Sequence, residues 1–104
     1  FSTPSSIDSI TSSNGQEDHV SMGANGANQL REICSNLYDI LAIELISAAQ
    51  AKDFNIIKSS KVISEFLKKL RVITPKISND KIMFVEIKKV NKFIKNYKIK
   101  NLIL

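Results

Sequence analysis

The run ILAIELISAA, residues 40–49, constrains this chain more than any other stretch. Around it Leu30, Ile33, Cys34, Leu37, Ile40, Leu41, Glu44 and Ala48 fall at steps of three and four, the period of a helix, with Arg31, Glu32 and Asp39 off that stripe. Between Tyr38 and Ala51, however, the apolar side chains spread around the whole circumference. An ordinary surface helix offers one apolar stripe to a core, whereas a helix apolar all round is enclosed by other helices. A chain of 104 residues cannot easily enclose it. The expectation is therefore an all-α piece of a larger helical-bundle assembly. Glu44 interrupts the run, which is far short of the ~20 residues needed to cross a bilayer, so no membrane span is expected.

The rest of the chain divides by composition. Residues 1–17 are a polar lead in which Thr3-Pro4-Ser5-Ser6 and Ser12-Ser13-Asn14-Gly15 supply turn chemistry. One long central helix follows, over about 18–51, with Asp18 as its N-cap. Gly23 and Gly26 each cost about 1 kcal/mol in a helix interior, and local propensity alone starts the helix near Asn25. A start near Asp18 requires the small face of Gly23, Ala24, Gly26 and Ala27 to admit another backbone. Asp53-Phe54-Asn55 ends the helix. Ser59-Ser60 opens a shorter amphipathic helix, about 60–72, which Pro75 stops, and Met83, Ile87, Val90, Ile94 and Tyr97 mark another over about 83–97. No stretch of useful length alternates with a strand's period of two.

Charge is distributed unevenly. Residues 1–57 hold seven acids against Arg31 and Lys52, a net of −5; residues 58–104 hold twelve lysines and Arg71 against Glu65, Asp80 and Glu86, a net of +10. A basic half can meet nucleic acid or an anionic membrane surface. Thirteen lysines with two arginines, sixteen isoleucines and nine asparagines read instead as a solvated lysine face, with no Arg fork or Gly/aromatic RNA motif beside it. Neither nucleic acid nor membrane is an expected partner. With one cysteine, Cys34, and one histidine, His19, a zinc cluster lacks ligands, and no metal is expected. The single thiol and the absence of a basic region before an apolar one at the start fit a cytoplasmic protein.

The most reactive side chains crowd into QEDHVSMG, residues 16–23. Neighbouring residues on a helix point in different directions, so Glu17, Asp18 and His19 cannot all serve one site there. The spacing is not that of a helical two-histidine metal site, and Ser21, two residues from His19, makes no nucleophile elbow. On mechanics alone Glu17 is either a site carboxylate or an ordinary helix-start acid.

The run STPSSIDSITSSNGQEDHVSMGANGA, followed by LAIELISAAQA and Lys58-Ser59-Ser60, resembles the C-terminal part of the aromatic amino acid lyases, and among them the histidine ammonia-lyase branch. The likeness extends to Asn79-Asp80-Lys81-Ile82-Met83 and Glu86-Ile87, and stops before NYKIKNLIL. It implies a helical homotetramer several times longer than this chain, in which residues 1–17 form an active-site loop, 18–54 a long core helix and 58–104 peripheral helices. It implies non-oxidative deamination of L-histidine to urocanate and ammonia by the completed enzyme, with the isolated fragment inactive. The electrophile it implies, a methylidene-imidazolone, forms from an internal Ala-Ser-Gly, a tripeptide this chain lacks. The family's active-site glutamate maps onto Glu17, assigned to catalysis and, with Gln16, to substrate binding; an acid there favours histidine over phenylalanine or tyrosine. The competing readings are a free-standing basic helical interaction module and an inactive gene remnant.

Overall fold

The computed structural model describes residues 3–4, 7, 10–16 and 22–98. Three helices account for most of them: α1 (Gly23–Asp53), α2 (Lys61–Ile73) and α3 (Met83–Asn96). No strand is present among the described residues. The chain forms two compact units, residues 1–36 and 37–104.

In the first unit the polar lead makes turns. Ile7 N–H donates to the Pro4 carbonyl at 3.1 Å. Ser13, Asn14 and Gly15 follow with φ of 53°, 55° and 83°, closed by bonds from Gly15 N–H to Ser12 O and from Gln16 N–H to Ser13 O. Consecutive residues in the left-handed region make a tight turn of the hand that L side chains avoid. Gly15 and Asn14 enter it at little cost, while a residue such as Ser13 gives up about 1–2 kcal/mol.

The long helix begins later than the sequence suggests. Met22 lies outside it, its carbonyl accepts from Gly26 N–H at 2.9 Å, and α1 runs from Gly23 rather than from near Asp18. Asp18 itself, and with it the expected N-cap, lies outside the described residues. The helix nonetheless takes in both Gly23 and Gly26, and so starts ahead of Asn25, where local propensity alone places its start. Once begun, the helix continues through Gly26 without a break to Asp53.

The second unit has a small core. Ala42, Ile46 and Ala49 of α1, Leu70 of α2 and Val90 of α3 are buried together, ringed by Leu45, Leu67, Ile77, Met83, Ile87, Phe93 and Ile94. Two alanines on one face of α1 allow the other helices to approach closely. Phe66, Phe93 and Tyr97 extend the packing as a trio with ring centroids 5.0–5.8 Å apart. Ser60 caps α2 by accepting from Ile63 N–H, and the chain leaves α2 through Thr74, whose N–H still reaches Leu70 O, just before Pro75. The 74–82 connection is tied to α1 by Gln50, which donates to Ile77 O at 2.8 Å and accepts from Ile77 N–H at 3.1 Å. Arg71 pairs with Asp53 at 2.5 Å and also donates to Thr74 O, fastening the end of α1 to the end of α2.

This core covers only part of α1. Ala42 and Ile46 are enclosed from within the chain, yet Ile40 is 60% and Ile43 49% exposed, and Leu30, Ile33 and Leu37 are exposed as well. A soluble surface rarely presents so many large apolar side chains along one helix, so α1 is built to be covered further.

Candidate functional site

Of the residues that the sequence marks for chemistry, Gln16 is the one whose position is described. It is exposed and follows the left-handed turn directly, with its N–H bonded to Ser13 O at 3.2 Å. Glu17, Asp18 and His19 lie outside the described residues. The local sequence accounts for the turn: Asn-Gly tolerates positive φ, and the backbone reverses within a few residues. Such strain is commonly held where a segment must present the next residue at a fixed angle. The turn chemistry was legible from Ser12-Ser13-Asn14-Gly15, but its hand was not, because Ser13 does not by itself favour positive φ.

A second polar cluster was not anticipated. Glu86, in the first turn of α3, is only 6% exposed. Its Oε1 accepts from Lys89 Nζ at 3.0 Å and faces Lys81 Nζ at 3.6 Å. Its Oε2 and the hydroxyl of fully buried Thr74 have no partner of strict hydrogen-bond geometry. The Thr74 hydroxyl nevertheless acts most strongly on the carboxylate, followed by Lys89, and these with the charges of Lys81 and Lys89 outweigh burial and hold Glu86 below the usual glutamate range. The arrangement keeps Glu86 ionised and joins α3 to the end of α2. An acid among lysines is easily read as a surface residue, and the one sequence signal for its burial was its helical register with Val90.

Among the described residues no group of three His, Cys, Asp or Glu side chains is placed to hold a metal ion. Among the described residues no helix is long and apolar enough to cross a membrane. Cys34 is a free, exposed thiol on α1.

A long, incompletely covered helix, a polar loop with a left-handed turn before an acid-bearing motif, and two shorter helices make up an all-helical segment with apolar surface left to cover. The pattern of the family described as aromatic amino acid lyase matches residues 1–72, and the chain belongs to that family. Its relatives include the histidine ammonia-lyase of Treponema denticola, 43% identical over 94 residues, which are 89% of this chain and 18% of the relative. The histidine ammonia-lyase of Deinococcus radiodurans is 42% identical over 81 residues, 78% of this chain and 16% of the relative. The crystal structure of histidine ammonia-lyase from Trypanosoma cruzi superimposes with a TM-score of 0.81 at 32% identity, covering 88% of this chain and 18% of that one. The chain thus spans less than a fifth of the length of each of these three relatives.

Proposed function

We propose that this chain is the C-terminal segment of a histidine ammonia-lyase, and that it takes part in converting L-histidine to urocanate and ammonia when the remainder of the enzyme completes the site. The observation that carries the reading is the family match across residues 1–72, a span that contains Gln16 and Glu17. The 43% identity to a histidine ammonia-lyase over most of the chain supports the branch. In this reading residues 1–17 are the active-site loop, the long helix belongs to the core of a homotetramer and residues 58–104 are peripheral. The enzyme works in the cytoplasm, where the exposed Cys34 thiol stays reduced.

Within that site Glu17 faces the imidazole of the substrate. A carboxylate there gains a charge-assisted hydrogen bond from a ring N–H and can accept its proton, which an amide cannot. Gln16, beside it, offers a neutral donor and acceptor for orientation. The methylidene-imidazolone belongs, in this reading, to the complete enzyme; its Ala-Ser-Gly precursor is not among the residues of this chain. No step through that group is assigned to these residues.

The test is Glu17→Gln in the complete enzyme, with urocanate formation followed by absorbance. Size and hydrogen-bonding capacity are retained while the proton acceptor is lost, so turnover should fall by ~10²–10⁴. Asp18→Asn keeps an N-cap acceptor and should leave turnover nearly unchanged. Near-normal turnover in Glu17→Gln, or a larger loss in Asp18→Asn, means the acid has been placed on the wrong residue.

A further inference from the structure

The lysines of residues 58–104 differ in what they meet. Lys69, Lys76, Lys88 and Lys95 each lie over an aromatic ring, and Lys81 and Lys89 share Glu86. Each of these six therefore has a ring or a carboxylate beside it. Among the described residues no ring or acid is paired with Lys58 or Lys68, and both line one groove of about 340 Å³ between the end of α1, the 54–60 connection and α2.

The same groove is lined by Lys52, Arg71 and a single acid, Asp53. Asp53 is committed to Arg71, and Lys52 donates to the Ile57 carbonyl, so that the wall retains three cations beyond the neutralised pair. Ser59 and Ser64 add hydroxyls to it. Cations sharing one groove sit within a Debye length of one another and raise the local potential together. Lysine ammonium groups are point donors well suited to tetrahedral oxyanions. The volume admits a phosphate with a small substituent, and the three uncompensated charges favour a dianion over a monocarboxylate.

We propose that this groove, lined by Lys52, Lys58, Lys68 and Arg71, is a binding site for a small phosphate-class anion, separate from the histidine site of the loop. It is independent of the lyase reading, since its occupation is measured without turnover. The shared chemistry is a phosphate monoester or diphosphate, either free in solution or carried as a headgroup.

The experiment titrates inorganic phosphate and pyrophosphate into the protein as its gene encodes it, at low ionic strength, by calorimetry and phosphorus NMR. Saturable one-to-one binding is expected, tighter for pyrophosphate. Removing two charge-assisted contacts in Lys58→Ala/Lys68→Ala should weaken it by about tenfold or more. The exposed pair Lys92→Ala/Lys98→Ala, outside the groove, should leave it unchanged. Phosphatidic acid vesicles form the second arm: binding that pyrophosphate competes and the groove variant abolishes identifies a headgroup reaching the same site. Vesicle binding without phosphate binding, non-saturable binding, or equal losses in both double variants would each overturn the proposal. Lys58 and Lys68 are exposed, so the variants should fold.

Discussion

At the scale of single residues, Glu86 links composition to behaviour. Because its ionised form is held below the usual glutamate range by Thr74, Lys89 and Lys81, it binds fewer protons folded than unfolded in the acid range. Its contribution to stability is therefore fully present above the unfolded glutamate value of about 4.3, and is lost as pH falls through the lower folded value. Denaturant midpoints between about pH 3 and 7 should show an acid limb that Glu86→Gln flattens, with a loss of about 1–3 kcal/mol at neutral pH where a hydrogen-bonded buried group is disrupted. Thr74→Val removes the largest cause of the shift and leaves Lys81 and Lys89 in place, so it should shrink the limb without abolishing it. An unchanged limb in both variants would assign the acid sensitivity to other carboxylates. The candidate site was legible at this scale only in part. QEDHV stood out as a cluster of reactive types, yet no periodicity distinguishes a site carboxylate from a helix-start acid, and the role proposed for Glu17 rests on the family likeness. Glu86 went unnoticed as a structural group because burial is a property of three helices together and not of the residues beside it.

At the scale of elements, the helices were readable because each boundary has a local chemical cause. Ser60 was expected to open α2 and caps it, Pro75 was expected to stop α2 and Thr74 ends it, and the α3 stripe Met83, Ile87, Val90, Ile94 faces the core as its spacing required. The start of α1 was less legible, because Asp18 as a cap and the two glycines as breakers argued opposite ways. Gly26 provides the sharper test. A Cβ added there would meet nothing within 4 Å, and its φ is not in the left-handed region. In the isolated chain Gly26→Ala should therefore stabilise α1 by about 0.5–1 kcal/mol, through loss of unfolded-state entropy. In the complete enzyme the sign should reverse if another backbone packs on that small face. Thermal melts of the variant in both contexts decide: stabilisation in both would show that the glycine makes room for nothing.

At the scale of the whole molecule, the exposed apolar side chains of α1 and the loop residues Phe54 and Ile56, the latter 98% exposed, leave this chain with surface it cannot cover. That much followed from ILAIELISAA alone, since apolar residues on every side of a helix need more neighbours than two short helices provide. It was not legible which side the chain would cover for itself: Ala42, Ile46 and Ala49 face inward because small residues admit the closest approach, leaving Ile40 and Ile43 outside. Expressed by itself, the chain should self-associate in sedimentation velocity and bind a hydrophobic dye. It should form no urocanate from excess L-histidine, because it holds no group able to activate the leaving amine. A monodisperse monomer would show that the apolar face needs no partner, and measurable turnover would mean that the electrophile is encoded within these residues after all.

The Gln50 tie has a consequence for what evolution can write at that position. A side-chain amide that gives one bond to Ile77 and takes one from it imitates a peptide group, so the 74–82 connection is paired to a helix much as two strands are paired to each other. The alphabet for such a place is almost one letter long. Leucine would match the volume but leave both Ile77 groups without partners, glutamate could accept but not donate, and asparagine would fall a methylene short of the reach. Position 50 is thus spelled by pairing geometry and not by hydropathy, although it stands one residue from the buried Ala49 in the most apolar stretch of the chain.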